Sequence, residues 1–426
     1  MPPIQDHPLR YQLANELHAR PFPNMSSPST VVYLAIKQPQ EAVHRERAKD
    51  LEHLIDLLDR HGAPHPKPGA THHSAQIGRH TLKWEQHTEF VGYMVYSAGV
   101  SARAFDPVDF EVFPAEWLEQ APGQRVTSLI VRVEPRPTDK SLAKSLDDWF
   151  VPESLAVSSV LDDSTVVAGD FRIDPAGHMR FAMFANKGTE TSRIGRVVQR
   201  LCEIETYRAM SMLGFSRARG LSPSIGGLDT HLTEMMMEMT AGQETAEQTL
   251  SQLLTISAEL ESMGVRAAFR FAATGAYEAL VNQRISMLRE ERYEGYQTFA
   301  DFMLRRYEPA MRTVKSTEER LGALADRARR AGELFRTRVD VERSAQNQAL
   351  LESMDRRADQ ALRLQTTVEG LSVVAISYYG VSLVSYAAYP LAQMLGVTKG
   401  TLTAAITLPV VALVWLAVRR IRKKLH

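Results

Sequence analysis

Apolar residues dominate the end of this chain. Residues 371–395 and 402–418 form two such runs, and between 371 and 418 the only formal charge is Lys399. Each run has about the length of a membrane-spanning helix, roughly 17–25 apolar residues. The six residues between them, 396–401, are too few for a domain. Basic residues flank the pair: Arg356, Arg357 and Arg363 precede it, and Arg419, Arg420, Arg422, Lys423 and Lys424 follow it. Lys/Arg-rich flanks stay cytoplasmic. The pattern predicts a transmembrane hairpin with both chain ends in the cytoplasm and residues 396–401 outside.

Upstream, the pattern changes twice. Residues 1–188 alternate like strands and helices. Residues 31–36, 80–87, 90–97, 126–134, 165–173 and 178–184 read as strands, and residues 174–177, DPAG, as a hairpin turn. Residues 40–60 and 141–150 have helical spacing. The expected fold is an α+β or α/β domain, a sheet covered by helices on one or both faces. From 189 to 308 strands should stop and antiparallel helices take over. Breaks are expected at 217–227 and at Gly264, giving helices over 191–213, 229–263 and 266–308. Pro309 then opens a long stalk, 309–370. Met311, Val314, Leu321, Leu324, Ala328, Phe335 and Val339 recur at coiled-coil-like spacing. A helix over 310–369 would be on the order of 90 Å long and would run straight into the first span, 371–395. The second span, 402–418, and a basic tail, 419–426, complete the layout.

Composition narrows the function. Fifty basic residues balance fifty acidic ones, whereas a nucleic-acid binder usually carries a basic excess. One cysteine, Cys202, leaves no intrachain disulfide and fits a reducing compartment; it reads as a small core residue. The first ten residues lack the apolar core of a signal peptide. No P-loop, Gly-x-Ser-x-Gly or Gly-x-Gly-x-x-Gly motif is present, so neither an enzymatic activity nor a cofactor is expected.

Three groups of side chains could carry function. Tyr378, Ser382, Ser385 and Tyr389 lie 4, 3 and 4 residues apart, on one face of the first span. Hydroxyls in hydrocarbon are costly unless they meet water or another helix, so the stripe reads either as pore-facing or as a packing surface. Glu352, Asp355, Asp359 and Glu369 precede the span and could form a cytoplasmic acidic vestibule, or remain solvated beside the nearby arginines. His61, His65, His72 and His73 crowd a Pro/Gly-rich loop. Imidazoles suit Zn, Ni or Cu, but no His-Glu-x-x-His or Cys-x-x-Cys supports them, and an exposed loop is the expectation. His18 is either structural or a binding residue.

NELHARPF at 15–22, GRVVQRLCEIETYR at 195–208 and QNQALLESMDRRADQALRLQTTVEGLSVVAISYYG at 346–380 resemble a bacterial family of uncharacterised membrane-anchored proteins, a domain-of-unknown-function family. That likeness covers nearly the whole chain and implies a bacterial inner-membrane location without implying a reaction. The layout is also similar to the CorA magnesium-channel superfamily, whose members form pentamers with the first span lining the pore. That group's Gly-Met-Asn signature is absent, and residues 387–393 read AAYPLAQ instead. This likeness implies a homo-oligomer in the lipid bilayer that passes cations. The expected function is an oligomeric ion channel or transporter. The alternative is a membrane-anchored scaffold or sensor whose α/β domain binds a ligand or protein.

Overall fold

The computed structural model describes residues 4–16, 22–39, 45–241, 246–396 and 398–425. Two compact units are present: Met1–Gln243 with Ser251–Ala331, and Glu244–Leu250 with Gly332–His426. The fold is mixed α+β.

The first unit begins with a short helix, α1 (Arg10–Glu16), followed by β1 (Ser29–Lys37), α2 (Arg47–Arg60), β2 (His72–Ile77), β3 (His80–Gln86), β4 (Val91–Ala98) and α3 (Ala115–Glu119). Then come β5 (Gln124–Pro135), α4 (Asp139–Trp149), β6 (Ala156–Val160), β7 (Thr165–Ile173) and β8 (Met179–Ala185). A two-residue strand, β9 (Glu291–Arg292), completes a nine-stranded sheet of order β2-β3-β4-β1-β5-β8-β7-β6-β9. Each half thus runs strand, helix, three strands. The halves meet where β1 pairs antiparallel with β5. They differ at the return: β4 comes back antiparallel to β1, whereas β8 lies parallel to β5. A parallel partner needs a crossover, and the first connection inside it carries α4. The DPAG turn forms as expected, with the Gly177 amide donating to the Asp174 carbonyl and Gly177 at φ +90°.

Helices cover both faces of the sheet. On one, Leu54, Leu57 and Leu58 of α2 pack with Val32, Leu34, Trp84 and Tyr93. Leu142 and Leu146 of α4 continue that layer over Ile130, Val157 and Phe184. On the other lies α5 (Thr191–Ala241), where Gln199 accepts from Lys83 Nζ at 2.8 Å and Glu205 from Thr127 Oγ1 at 3.3 Å. A side chain on Gly195 would put its Cβ 1.7 Å from the Pro23 carbonyl oxygen, so glycine at the head of the second family-like motif lets residues 22–26 cross α5. Arg45 and Asp50, both buried, pair beneath α2, and Gln38 and Gln86 also donate to Asp50. Burial outweighs these contacts and raises the Asp50 carboxyl's pKa.

The helical middle departs from the expected breaks. Helix α5 runs unbroken through 217–227 with Pro223 inside it. Proline costs a helix about 3 kcal/mol, but Ala218, Leu221 and Ile225 are buried on one face and hold the turn. Helix α6 (Ala246–Leu288) likewise passes through Gly264, where a turn was expected. The helix expected over 266–308 instead ends at Leu288; β9 and then α7 (Phe299–Arg306) follow, so strands do not stop at 189. Besides β9, two strands escape the sequence pattern. The β2 segment lies in the His-rich loop, and the five residues of β6 are all buried and therefore do not alternate.

Pro309 falls in the first turn of α8 (Glu308–Met394), where its missing N–H costs nothing. This helix of 87 residues contributes to both units. Met311, Val314, Leu321, Leu324 and Ala328 are buried in the first unit. There Arg327 donates to Asp229 and Thr233 of α5. The seam read as coiled-coil-like is therefore core of a single chain over this stretch. In the second unit α8 is followed by α9 (Lys399–Leu425).

Candidate functional site

Beyond Gly370 the surface of α8 becomes apolar without being covered. Leu371, Val374, Leu383 and Leu391 of α8, and Leu408 and Leu413 of α9, are exposed. Both helices are long and apolar enough to cross a membrane. Helices that are apolar all round are buried in hydrocarbon or in partners. They approach closely at Gly380, where a Cβ would stand 3.1 Å from Val410 Cγ1.

Beside that approach lies a groove of about 680 Å³. All four stripe residues, Tyr378, Ser382, Ser385 and Tyr389, line it. Sequence spacing placed them on one face; the structure adds that α9 faces them across the groove. Ser377, Tyr386, Thr403, Thr407 and Lys399 also line it and were not singled out beforehand. The signal available for them was spacing: Ser377 and Ser385 stand eight residues apart, and Thr403 and Thr407 four apart. Lys399, placed by the sequence in the loop, is the first residue of α9. Its Nζ lies 5.7 and 5.9 Å from the ring centres of Tyr386 and Tyr389, within cation–π range.

The hydroxyls divide into two kinds. Thr403 Oγ1 donates to the Lys399 carbonyl at 2.9 Å and Thr407 Oγ1 to the Thr403 carbonyl at 2.7 Å, so both are satisfied within α9. Ser377 Oγ and Ser385 Oγ are buried and have no hydrogen-bond partner among the described residues, and Ser377 is only 5% exposed. A buried hydroxyl without a partner costs roughly 1–3 kcal/mol. Both oxygens are sealed from solvent although their residues line the groove.

The other expected groups fare differently. Glu352, Asp355 and Asp359 are exposed on α8, with Glu352 4.0 Å from Arg356. Glu369 accepts from Gln365 at 3.1 Å. None of these four acids lines the groove. The four histidines are not brought together either. His65 Nε2 meets Asp59 at 2.6 Å, and His73 Nε2 meets the Pro64 carbonyl at 2.9 Å. His72 and His73 are successive residues of β2, so they project to opposite faces. Among the described residues no group of three or more His, Cys, Asp or Glu is placed to hold a metal. Cys202 is buried, and burial pushes its thiol pKa well up. His18 lies outside the described residues.

The first unit has its own polar pocket, about 580 Å³, lined by His61, Arg79, His80, Ser97, Asp109 and Glu111 among others. His80 Nδ1 meets Ser97 Oγ, while Arg79 Nε donates to His80 Nε2 at 3.4 Å. The tautomer of His80 sets which of the two, ring nitrogen or hydroxyl, donates to the other.

Comparison with curated proteins finds no match. A family model described as "Protein of unknown function (DUF3422)" matches residues 5–425, and the chain belongs to that family.

Proposed function

We propose that residues 371–418 cross the bacterial inner membrane as a hairpin, and that several copies assemble around their first spans into an ion channel or transporter of CorA-like layout. One observation carries this reading: a groove lined by the hydroxyl-bearing residues Ser377, Tyr378, Ser382, Ser385 and Tyr389 lies between helices suited to a membrane. The stripe's spacing extends below the span. Leu364, Val368, Leu371 and Ala375 precede Tyr378 at steps of 4, 3, 4 and 3. The three larger ones are exposed. A seam of that spacing, unused within one chain, suits a parallel homo-oligomer. Glu352, Asp355, Asp359 and Glu369 would ring its cytoplasmic approach.

A second reading rests on the pocket of the first unit. In it the hairpin is only an anchor, and the sheet domain is a scaffold or sensor that binds a ligand or protein. One pair of variants separates the two. Ser382→Leu with Ser385→Leu dries the path, so proteoliposome flux is lost while oligomer mass is unchanged. If the stripe instead packs helices, the same changes lower the mass, since each interhelical hydrogen bond is worth roughly 0.6–2 kcal/mol. Wild-type oligomers that pass no ion would favour the anchored scaffold.

A further inference from the structure

We infer that the groove between α8 and α9 selects anions, with Lys399 as its selectivity-determining residue. The inference rests on the conduction reading and names the class of ion that reading leaves open. Among the described residues lining the groove, Lys399 is the only formally charged one. No carboxylate lies among the lining residues, and Glu369 is bonded to Gln365 on its own helix. The rings of Tyr386 and Tyr389 hold the ammonium at the mouth. Lys399 also opens α9, whose dipole points its positive end to the same place. An anion passing this mouth gains from both, and a divalent cation pays twice. Rings of Lys or Arg are the usual device of anion pores, and rings of Asp or Glu that of cation channels.

The interior is neutral. Thr403 and Thr407 commit their hydrogens to their own helix. Ser377 and Ser385 also line the groove, with their oxygens buried and without a partner among the described residues. A hydroxyl both donates and accepts, so the choice of ion rests on the charge at the mouth, with no carboxylate among the described lining residues to offset it. The expectation taken from the CorA-like layout, a cation path, is thus reversed by the charge at the mouth.

The test uses the full chain in proteoliposomes, with chloride, potassium and magnesium flux measured side by side and oligomer mass recorded for each variant. Wild type should pass chloride in preference to both cations. Lys399→Glu should lower the chloride-to-potassium ratio about a hundredfold, because a two-unit change of charge some 6 Å from an ion in a water-like dielectric lowers chloride occupancy about tenfold and raises that of potassium by about the same factor. Lys399→Gln should fall between them, and Lys399→Arg should keep the wild-type ratio. Preference for potassium or magnesium in the wild type overturns the inference and leaves the conduction reading standing. A ratio unmoved by Lys399→Glu at unchanged mass also overturns it. Absence of flux for all three ions overturns the conduction reading itself, and the inference with it.

Discussion

Leu324→Asp unfolds the sheet-containing unit instead of separating protomers. Leu324 is 5% exposed, on the stretch of α8 held to α5 through Arg327 and Asp229. Losing a buried leucine costs about 2–5 kcal/mol, and the carboxylate adds its own desolvation. Together these rival the roughly 5–15 kcal/mol that stabilises a whole protein. Trp84 and Trp117 report on the outcome, since both are fully buried in the sheet layer. Their emission should shift to the red, with loss of helical circular dichroism. Were this seam an interface between copies, the variant would keep native emission and only its assembled mass would fall. That result would return Leu321, Leu324 and Phe335 to the role their spacing first suggested.

Glu290→Gln should stabilise the protein at pH 8 and leave it unchanged at pH 4. Glu290 follows the end of α6, and its Oε2 accepts from the Ala300 amide, in the first turn of α7, at 3.1 Å. Burial raises its pKa from 4.5 to about 7 against that hydrogen bond. A carboxyl raised on folding binds its proton more tightly in the native state. Its favourable contribution is complete below pH 4.5 and is lost as pH rises through 7. The ionised form then costs the folded state on the order of 3 kcal/mol. Glutamine stays neutral, so the Tm of the full chain in detergent should lose this part of its fall between pH 5 and 8. Parallel Tm–pH curves for the two proteins would show that Glu290 titrates normally.

Much of the sheet was legible because most of its strands carry their own signal. β1, β3, β4, β5, β7 and β8 are apolar enough to be read singly, and the DPAG turn fixes the β7–β8 hairpin. β6 was hidden by complete burial, which erases alternation, and β2 by its polar sequence. Strand order was illegible because pairing between distant segments leaves no local mark. The helix breaks failed for the opposite reason. Pro223 and Gly264 are local signals, and the packing of α5 and α6 overrides them. In the groove, the stripe was legible as a face of one helix. Its partners on α9 were not, because the meeting of the helices at Gly380 and Val410 sets which residues oppose it. Lys399 read as a loop residue until α9 was found to begin there.

Everything proposed for the groove requires that residues 371–418 cross the bilayer twice, and site-directed labelling tests this directly. The native thiol, Cys202, is buried and should stay silent. Gly400→Cys, at an exposed position in the first turn of α9, should react with a membrane-impermeant maleimide added outside intact spheroplasts. A cysteine appended after His426 should react only once the membrane is opened. Labelling of the appended cysteine from outside, or of Gly400→Cys only after lysis, would contradict the hairpin.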